Sequence, residues 1–178
     1  MFDKTNIWIM VALLMLLGFA TRLLPHPPNF TPIAAIAIFG GLYLPKYLSV
    51  VIPIAVMLVG DIVIGFYNPY VMISVYVGFI LCVVLALIIR KKKKIHYILG
   101  TTVFGSILFF LLTNMAVWAF GTLYPHSLAG LIESYTMAIP FFRNSLLGDL
   151  FYVGVLVGGF ETVKYFLLNN KKIEQKII

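Results

Sequence analysis

Long runs of apolar residues, interrupted by short groups of proline, glycine and charged residues, extend along nearly the whole chain. A helix needs about 20 mostly apolar residues to cross the hydrocarbon core of a bilayer, so such runs predict membrane spans. We predict six spans, at residues 7–24, 31–44, 47–66, 70–89, 97–120 and 145–168. The predicted fold is therefore all-α, a polytopic bundle of six transmembrane helices, with residues 1–178 forming a single integral membrane domain.

The second predicted span is unusually short. It covers the 14 residues 31–44 and lies between Pro28 and Pro45. A complete crossing needs more residues than this, whereas re-entrant, tilted or partly broken helices are compatible with the length. The sequence leaves open whether this segment crosses the membrane fully.

An amphipathic segment is predicted just before the sixth span, at residues 127–139. Its apolar residues recur at helical spacing, at Leu128, Leu131, Ile132, Tyr135 and Ile139. Ser127 can cap the start of this helix, and we expect Pro140 to break it. We expect the segment to lie across the outer mouth of the bundle, as either a lid or a plain interfacial helix.

The composition excludes an ordinary soluble domain. Hydrophobic residues make up 62% of the chain and charged residues 11%, against about 45–50% and about 25% in soluble domains. A soluble fold of this size would expose large apolar patches.

Basic residues are distributed very unevenly over the predicted topology. Eleven of the 13 lysines and arginines fall on the side of the two termini, and only Arg22 and Arg143 fall on the other. Because basic loops are retained in the cytoplasm, both termini are expected to be cytoplasmic. The net charge of +7 then indicates contact with anionic membrane lipid, and we expect no nucleic-acid partner.

Two aspartates interrupt the predicted spans, and each follows a glycine. Asp61 and Asp149 lie in the outer halves of their spans, at the depth of Arg22 and Arg143. A carboxylate within a membrane is costly, so each is expected to face protein or a watery cavity and to have a partner. Two interpretations remain: Asp–Arg pairs that tie helices together, or charged groups that line a ligand cavity on the outer side.

Other polar and aromatic residues could contribute to such a site. Asn114 can bond across helices or to a ligand, and Trp118 and Tyr135 could form apolar walls. His26 and His126 are expected to anchor outer loops, because two histidines without a third ligand predict no metal site. The candidate substrate-binding residues are Arg22, His26, Asn29, Asp61, Asn114, Trp118, Tyr135, Arg143, Asn144 and Asp149.

The sequence contains no phosphate-binding loop, no His-Glu-x-x-His helix and no Gly-x-Ser-x-Gly turn. We therefore expect a protein that is not an enzyme and that uses no cofactor. A membrane enzyme using Ser145, His126 or Asp149 is the weakest hypothesis, because no nucleophile and base share a recognisable motif.

Three stretches of the chain carry a family resemblance. They are RLLPHPPNFTPIAAIAIFGG at 22–41, NMAVWAFGTLYP at 114–125 and AIPFFRNSLLGDLFY at 138–152. These strings resemble a family of small bacterial membrane proteins of unknown function, over residues 22 to about 161.

At a coarser level, the layout is similar to the substrate-binding S components of energy-coupling factor (ECF) transporters. The shared features are six spans, cytoplasmic termini, a short Ala/Gly-rich second helix, the Gly60-Asp61 pair and three loops over an outer-facing site. The resemblance implies a subunit of the bacterial inner membrane that binds a vitamin or related micronutrient for uptake. It also implies a transmembrane coupling subunit and ATPases as partners, although uptake without them stays open.

A scaffold or assembly protein of the cell envelope, without a small-molecule substrate, is the alternative. Small residues four positions apart allow close helix approach, as in Ala37 with Gly41 and Gly154 with Gly158. Such pairs serve internal packing or docking to a membrane partner, and the sequence does not separate these roles.

Overall fold

Six α-helices form the fold. The computed structural model describes the backbone of residues 4–177 and the side chains of residues 5–167, and the described backbone contains no strand. The helices are α1 Lys4–Leu23, α2 Ile33–Tyr43, α3 Lys46–Ile64, α4 Pro69–Ile89, α5 Ile95–Phe120 and α6 Leu128–Ile177. All except α2 are long and apolar enough to cross a membrane. The predicted all-α membrane bundle with six helices is confirmed.

Helix α2 lies at the centre of the bundle. Its sequence is apolar on every side, which is typical of a helix that is surrounded by protein. Ten of its eleven residues, Ile33–Leu42, are buried, and α2 contacts each of the other five helices. Eleven residues extend only about 16 Å, roughly half of a hydrocarbon core. The short second segment is therefore a central helix that is too short to span.

The two ends of the bundle differ in their loops. Loops 24–32, 65–68 and 121–127 meet at one end, which we call the histidine end because it contains His26 and His126. The loop 90–94 lies at the other end, which we call the lysine end.

Helix α2 is fixed at the lysine end. Arg90 Nη2 donates a hydrogen bond to the carbonyl oxygen of Leu44 at 2.7 Å, just after the last turn of α2. Lys93 Nζ lies 4.1 Å from the centre of the Tyr43 ring, and the Tyr43 hydroxyl donates to Glu161 on α6 at 2.9 Å. Because α2 is short and held at the lysine end, it begins inside the bundle and not at the histidine end.

Helix α6 continues through Pro140, so the predicted break at this residue is wrong. The segment 127–139 also lies along α5 instead of across the mouth, since Ser134 donates to the carbonyl oxygen of Asn114 at 3.2 Å. A proline removes one backbone donor, and packing against a neighbouring helix maintains the helical path. The predicted cap is confirmed, because Ser127 Oγ accepts from the amide of Gly130 at 3.2 Å.

Close packing between α2 and α4 depends on Gly41. A methyl group added at this position would lie 2.6 Å from Cβ of Ala86 and 2.9 Å from the carbonyl oxygen of Val83. The second contact is with backbone, which side-chain rotation does not relieve.

We expect Gly41→Ala to lower the free energy of unfolding by about 1–3 kcal/mol, because it forces α2 and α4 apart. Gly100→Ala is the matched control, since Gly100 also lies within a helix but has open space around it. The control should be neutral or slightly stabilising, as alanine favours helix. Denaturant unfolding in detergent measures both variants, and equal losses would contradict the packing argument.

Candidate functional site

A cavity of about 470 Å³ lies between the first turn of α2 and the histidine end. Its volume falls within the range of small-molecule sites, about 300–1,000 Å³. The cavity exists because α2 starts deep in the bundle, while α1, α3, α4, α5 and α6 continue past it. Its polar lining consists of Arg22, His26, Asn29, Thr31, Ser106, Thr113, Asn114, Ser145 and Asp149.

One charged residue at the cavity, Arg22, is paired within the protein. Arg22 Nη2 donates to Asp61 Oδ1 at 2.5 Å, and Tyr76 donates from its hydroxyl to Asp61 Oδ2 at 2.7 Å. Asp61 is almost completely buried. This three-residue network joins α1, α3 and α4, and it balances the charge of Arg22 inside the membrane.

The glycine before Asp61 makes room for this pair. A Cβ atom at Gly60 would lie 2.1 Å from Nε of Arg22, so the arginine side chain lies directly on the glycine backbone. Arg22 Nε is buried and has no hydrogen-bond partner among the described residues. Tyr67 lies in the nearby loop 65–68. Burial, and to a smaller extent the negative charge of Asp61, raises the pKa of its hydroxyl to about 12.

Asp149 has a different environment from Asp61. Its Oδ2 accepts a hydrogen bond from Ser106 Oγ at 2.6 Å, and the residue is only 6% exposed. Within the described part of the chain, no basic group lies within 4 Å of Asp149, and Arg143 is exposed. Of the two Asp–Arg pairs that the sequence suggested, only Arg22–Asp61 forms. Asp149 lines the cavity, and its Oδ1 has no protein partner among these residues.

The loop 24–32 descends into the bundle beside Asp149. Asn144 Nδ2 donates to the carbonyl oxygen of Pro28 at 3.1 Å, and Asn29 turns the chain with a φ of 62°, a conformation that asparagine tolerates. Phe30 then packs on Gly148, where a Cβ would lie 3.2 Å from Phe30 Cα. The loop thus places the start of α2 near the part of the cavity that Asp149 lines.

The first turn of α2 has unpaired backbone donors. Pro32 precedes it without an N–H group, and no side chain caps the helix. The first amide with an acceptor is that of Ile36, which bonds to Pro32 at 2.7 Å. The amides of Ile33, Ala34 and Ala35 have no acceptor among the described residues, although all three residues are buried. Buried unpaired amides are costly and usually have a ligand, ion or water as partner.

Five phenylalanines contribute to the apolar wall of the cavity. Phe79 packs on Phe109 with ring centres 4.9 Å apart, and Phe110 packs on Phe142 at 4.7 Å. All four residues line the cavity, together with Phe141.

Five of the ten sequence-predicted site residues line the cavity, and five do not. Those that line it are Arg22, His26, Asn29, Asn114 and Asp149, whereas Asp61, Trp118, Tyr135, Arg143 and Asn144 lie outside its lining.

Two of the residues outside the lining hold other parts of the fold together. Trp118 Nε1 donates to the carbonyl oxygen of Pro125 at 3.0 Å, and Tyr135 donates from its hydroxyl to the carbonyl oxygen of Leu111 at 2.8 Å. They secure the loop 121–127 and the start of α6, respectively.

Both histidines bond to loop carbonyls, which confirms their predicted anchoring role. His26 Nδ1 lies 2.7 Å from the carbonyl oxygen of Leu24, and His126 Nε2 lies 3.3 Å from that of Gly121. No group of three potential metal ligands occurs among the residues that the structure describes.

Helix α5 contributes more to the cavity than Asn114, the one cavity-lining residue on this helix that was predicted from the sequence. Ser106, Phe109, Phe110, Thr113 and Val117 all line the cavity. They recur with Asn114 at spacings of three, four and seven residues, which place them on one helix face. The sequence feature that could have identified this face is its polar residues, Ser106, Thr113 and Asn114, within an otherwise apolar helix.

A family model for a family of unknown function, DUF6580, matches residues 2–171. The chain belongs to this family. The predicted membership of a helical membrane family of unknown function is thereby confirmed. No curated protein and no solved structure matches the chain.

The Arg22–Asp61 pair predicts a strongly non-additive mutant cycle. Asp61→Leu alone should lower the free energy of unfolding by about 3–5 kcal/mol, because it leaves a buried arginine without a counter-charge. Arg22→Met combined with Asp61→Leu should recover most of this loss, since apolar pairs often replace buried ion pairs at little cost. Denaturant unfolding of the two single variants and the double variant measures the coupling. Additive losses would show that the pair contributes nothing beyond packing.

Proposed function

We propose that the protein is a membrane-embedded substrate-binding subunit for the uptake of a small nutrient, a vitamin or related micronutrient. The observation that carries this proposal is the cavity of about 470 Å³ between the first turn of α2 and the histidine end, lined by the buried carboxyl group of Asp149. Most small-molecule sites are largely apolar cavities with a few convergent polar groups, and this cavity has that character.

The placement of Asp149 supports a ligand site over a purely structural role. Asp61 shows how this protein compensates a carboxylate that ties helices, with an arginine and a tyrosine on its two oxygens. Asp149 has one hydroxyl partner and no counter-charge among the described residues. An ionisable group at membrane depth that faces a cavity is a functional-site candidate by default.

The distribution of basic residues supports an orientation that suits uptake. The lysine end carries Lys91–Lys94 and would be cytoplasmic in a bacterial inner membrane, so the cavity would open outwards. The similarity to ECF S components supports a coupling subunit and ATPases as partners, because the sequence has no phosphate-binding loop of its own.

We expect the protein purified in lipid nanodiscs to carry a small molecule that mass spectrometry detects after extraction. Asp149→Asn should retain at least tenfold less of it, because the substitution removes the charge and one acceptor in the cavity. Glu133→Gln is the matched control, since it makes the same carboxylate-to-amide change at an exposed position on α6 outside this cavity. The control should retain the molecule at the wild-type level.

A membrane scaffold is the second candidate, and one observation favours it. Cβ atoms added at Gly154 and Gly158 on α6 would meet nothing within 4 Å, so this surface could accept another helix. A wild-type protein that is empty after growth in several media, with partner pull-down lost on Gly158→Leu, would favour the scaffold and contradict nutrient binding.

Cysteine labelling tests the proposed orientation. The native Cys82 is buried and should stay unlabelled. A membrane-impermeant maleimide should label Thr122→Cys at the histidine end in intact cells, and should label Lys92→Cys only after permeabilisation, because basic loops stay in the cytoplasm. Both replaced residues are exposed. The reverse pattern would place the cavity mouth in the cytoplasm and contradict uptake by this route.

A further inference from the structure

We infer that the ligand is a flat heterocycle with a lactam edge, in which a ring N–H lies beside a ring carbonyl. Its N–H would donate to Asp149, and its carbonyl oxygen would accept from the first-turn amides of α2. This inference deepens the proposed function and rests on it.

The donor side of the site is the start of α2. The amides of Ile33 and Ala34 lie at the cavity lining and have no acceptor among the residues that the structure describes. A helix start also carries a partial positive charge, so it favours a ligand oxygen over a ligand N–H.

The acceptor side is Asp149. The residue is nine-tenths buried, lines the cavity and uses only Oδ2 in its bond to Ser106. Oδ1 has no hydrogen-bond donor among the described residues, so it is open to a donor from a ligand in the cavity.

The two sides lie close together in the fold. Phe30, three residues before Ile33, packs directly on Gly148, the neighbour of Asp149 in the chain. Donors and an acceptor thus come from two segments that are in contact, and both segments line the same cavity.

The charges around the cavity argue against a ligand that carries a net charge. An anion would face the Asp149 carboxylate, and an organic cation would face the positive end of α2. The charge of Arg22 is already opposed by Asp61. A neutral group that offers an N–H beside a carbonyl satisfies both sides without bringing a new charge into the membrane.

The walls of the cavity favour a flat ring. The pairs Phe79–Phe109 and Phe110–Phe142 both line it. Aromatic side chains contact planar rings through stacked or edge-to-face arrangements, and each such contact adds to the burial of apolar area. A bicyclic heterocycle fits the available volume of about 470 Å³.

Equilibrium dialysis with ligand-stripped protein in nanodiscs tests this inference. The probes are the bicyclic lactams quinazolin-4-one, lumazine and pterin, with benzamidine as the organic cation and benzoate as the anion. We expect at least one lactam to bind at least tenfold more tightly than benzamidine and benzoate. Methylation of its lactam nitrogen, or replacement of its lactam oxygen by sulfur, should weaken binding at least tenfold.

Variants separate the site from non-specific uptake into lipid. Asp149→Ala and Ser106→Ala should weaken binding of the lactam, whereas Glu133→Gln, at an exposed position outside the cavity lining, should not change it. Size-exclusion chromatography and thermal unfolding of each variant establish that it is folded before binding is compared.

The outcomes distinguish this inference from the proposed function. If all three lactams fail to bind, or if N-methylation has no effect, the lactam assignment is overturned. If the wild-type protein meanwhile carries a different cellular molecule, such as an organic cation, nutrient binding stands and only the ligand class falls. If no molecule is captured and no probe binds, both proposals fail.

Discussion

The central position of a helix that is too short for the membrane determines the rest of this structure. Helix α2 contacts all five other helices, and Arg90, Lys93 and Glu161 hold or surround its last turn at the lysine end. Because the surrounding helices are longer, the space beyond its first turn is not filled by backbone. The loop before α2 must descend to reach it, and a cavity remains above.

The two Gly-Asp pairs show how similar local sequences acquire different roles. Gly60 makes room for the side chain of Arg22, which then neutralises Asp61. Gly148 makes room for the backbone of Phe30, and this contact brings the uncapped start of α2 towards Asp149. In the first case the vacant space is occupied by a counter-charge. At Gly148 the space is occupied by the loop that precedes α2, and the Asp149 carboxylate is left facing the cavity.

Hydrogen-bonding groups without a protein partner line the cavity from two sides. The buried amides at the start of α2 and the free oxygen of Asp149 lie at the same cavity, between phenylalanine side chains from α4, α5 and α6. Such groups lower stability when they lack partners, so folded proteins rarely retain them without a reason. Their combination in one cavity is the physical basis for regarding it as a binding site.

The sequence by itself determined the membrane environment, the six helices and most of their bounds, because run length and apolar periodicity are local properties. It also determined the Ser127 cap. Only the tertiary structure decided that α2 is central, that α6 continues through Pro140, and that Asp61, not Asp149, pairs with Arg22. Those outcomes depend on which helices are neighbours. The aromatic wall and the uncapped start of α2 likewise became recognisable as a site only when the fold brought them to one cavity.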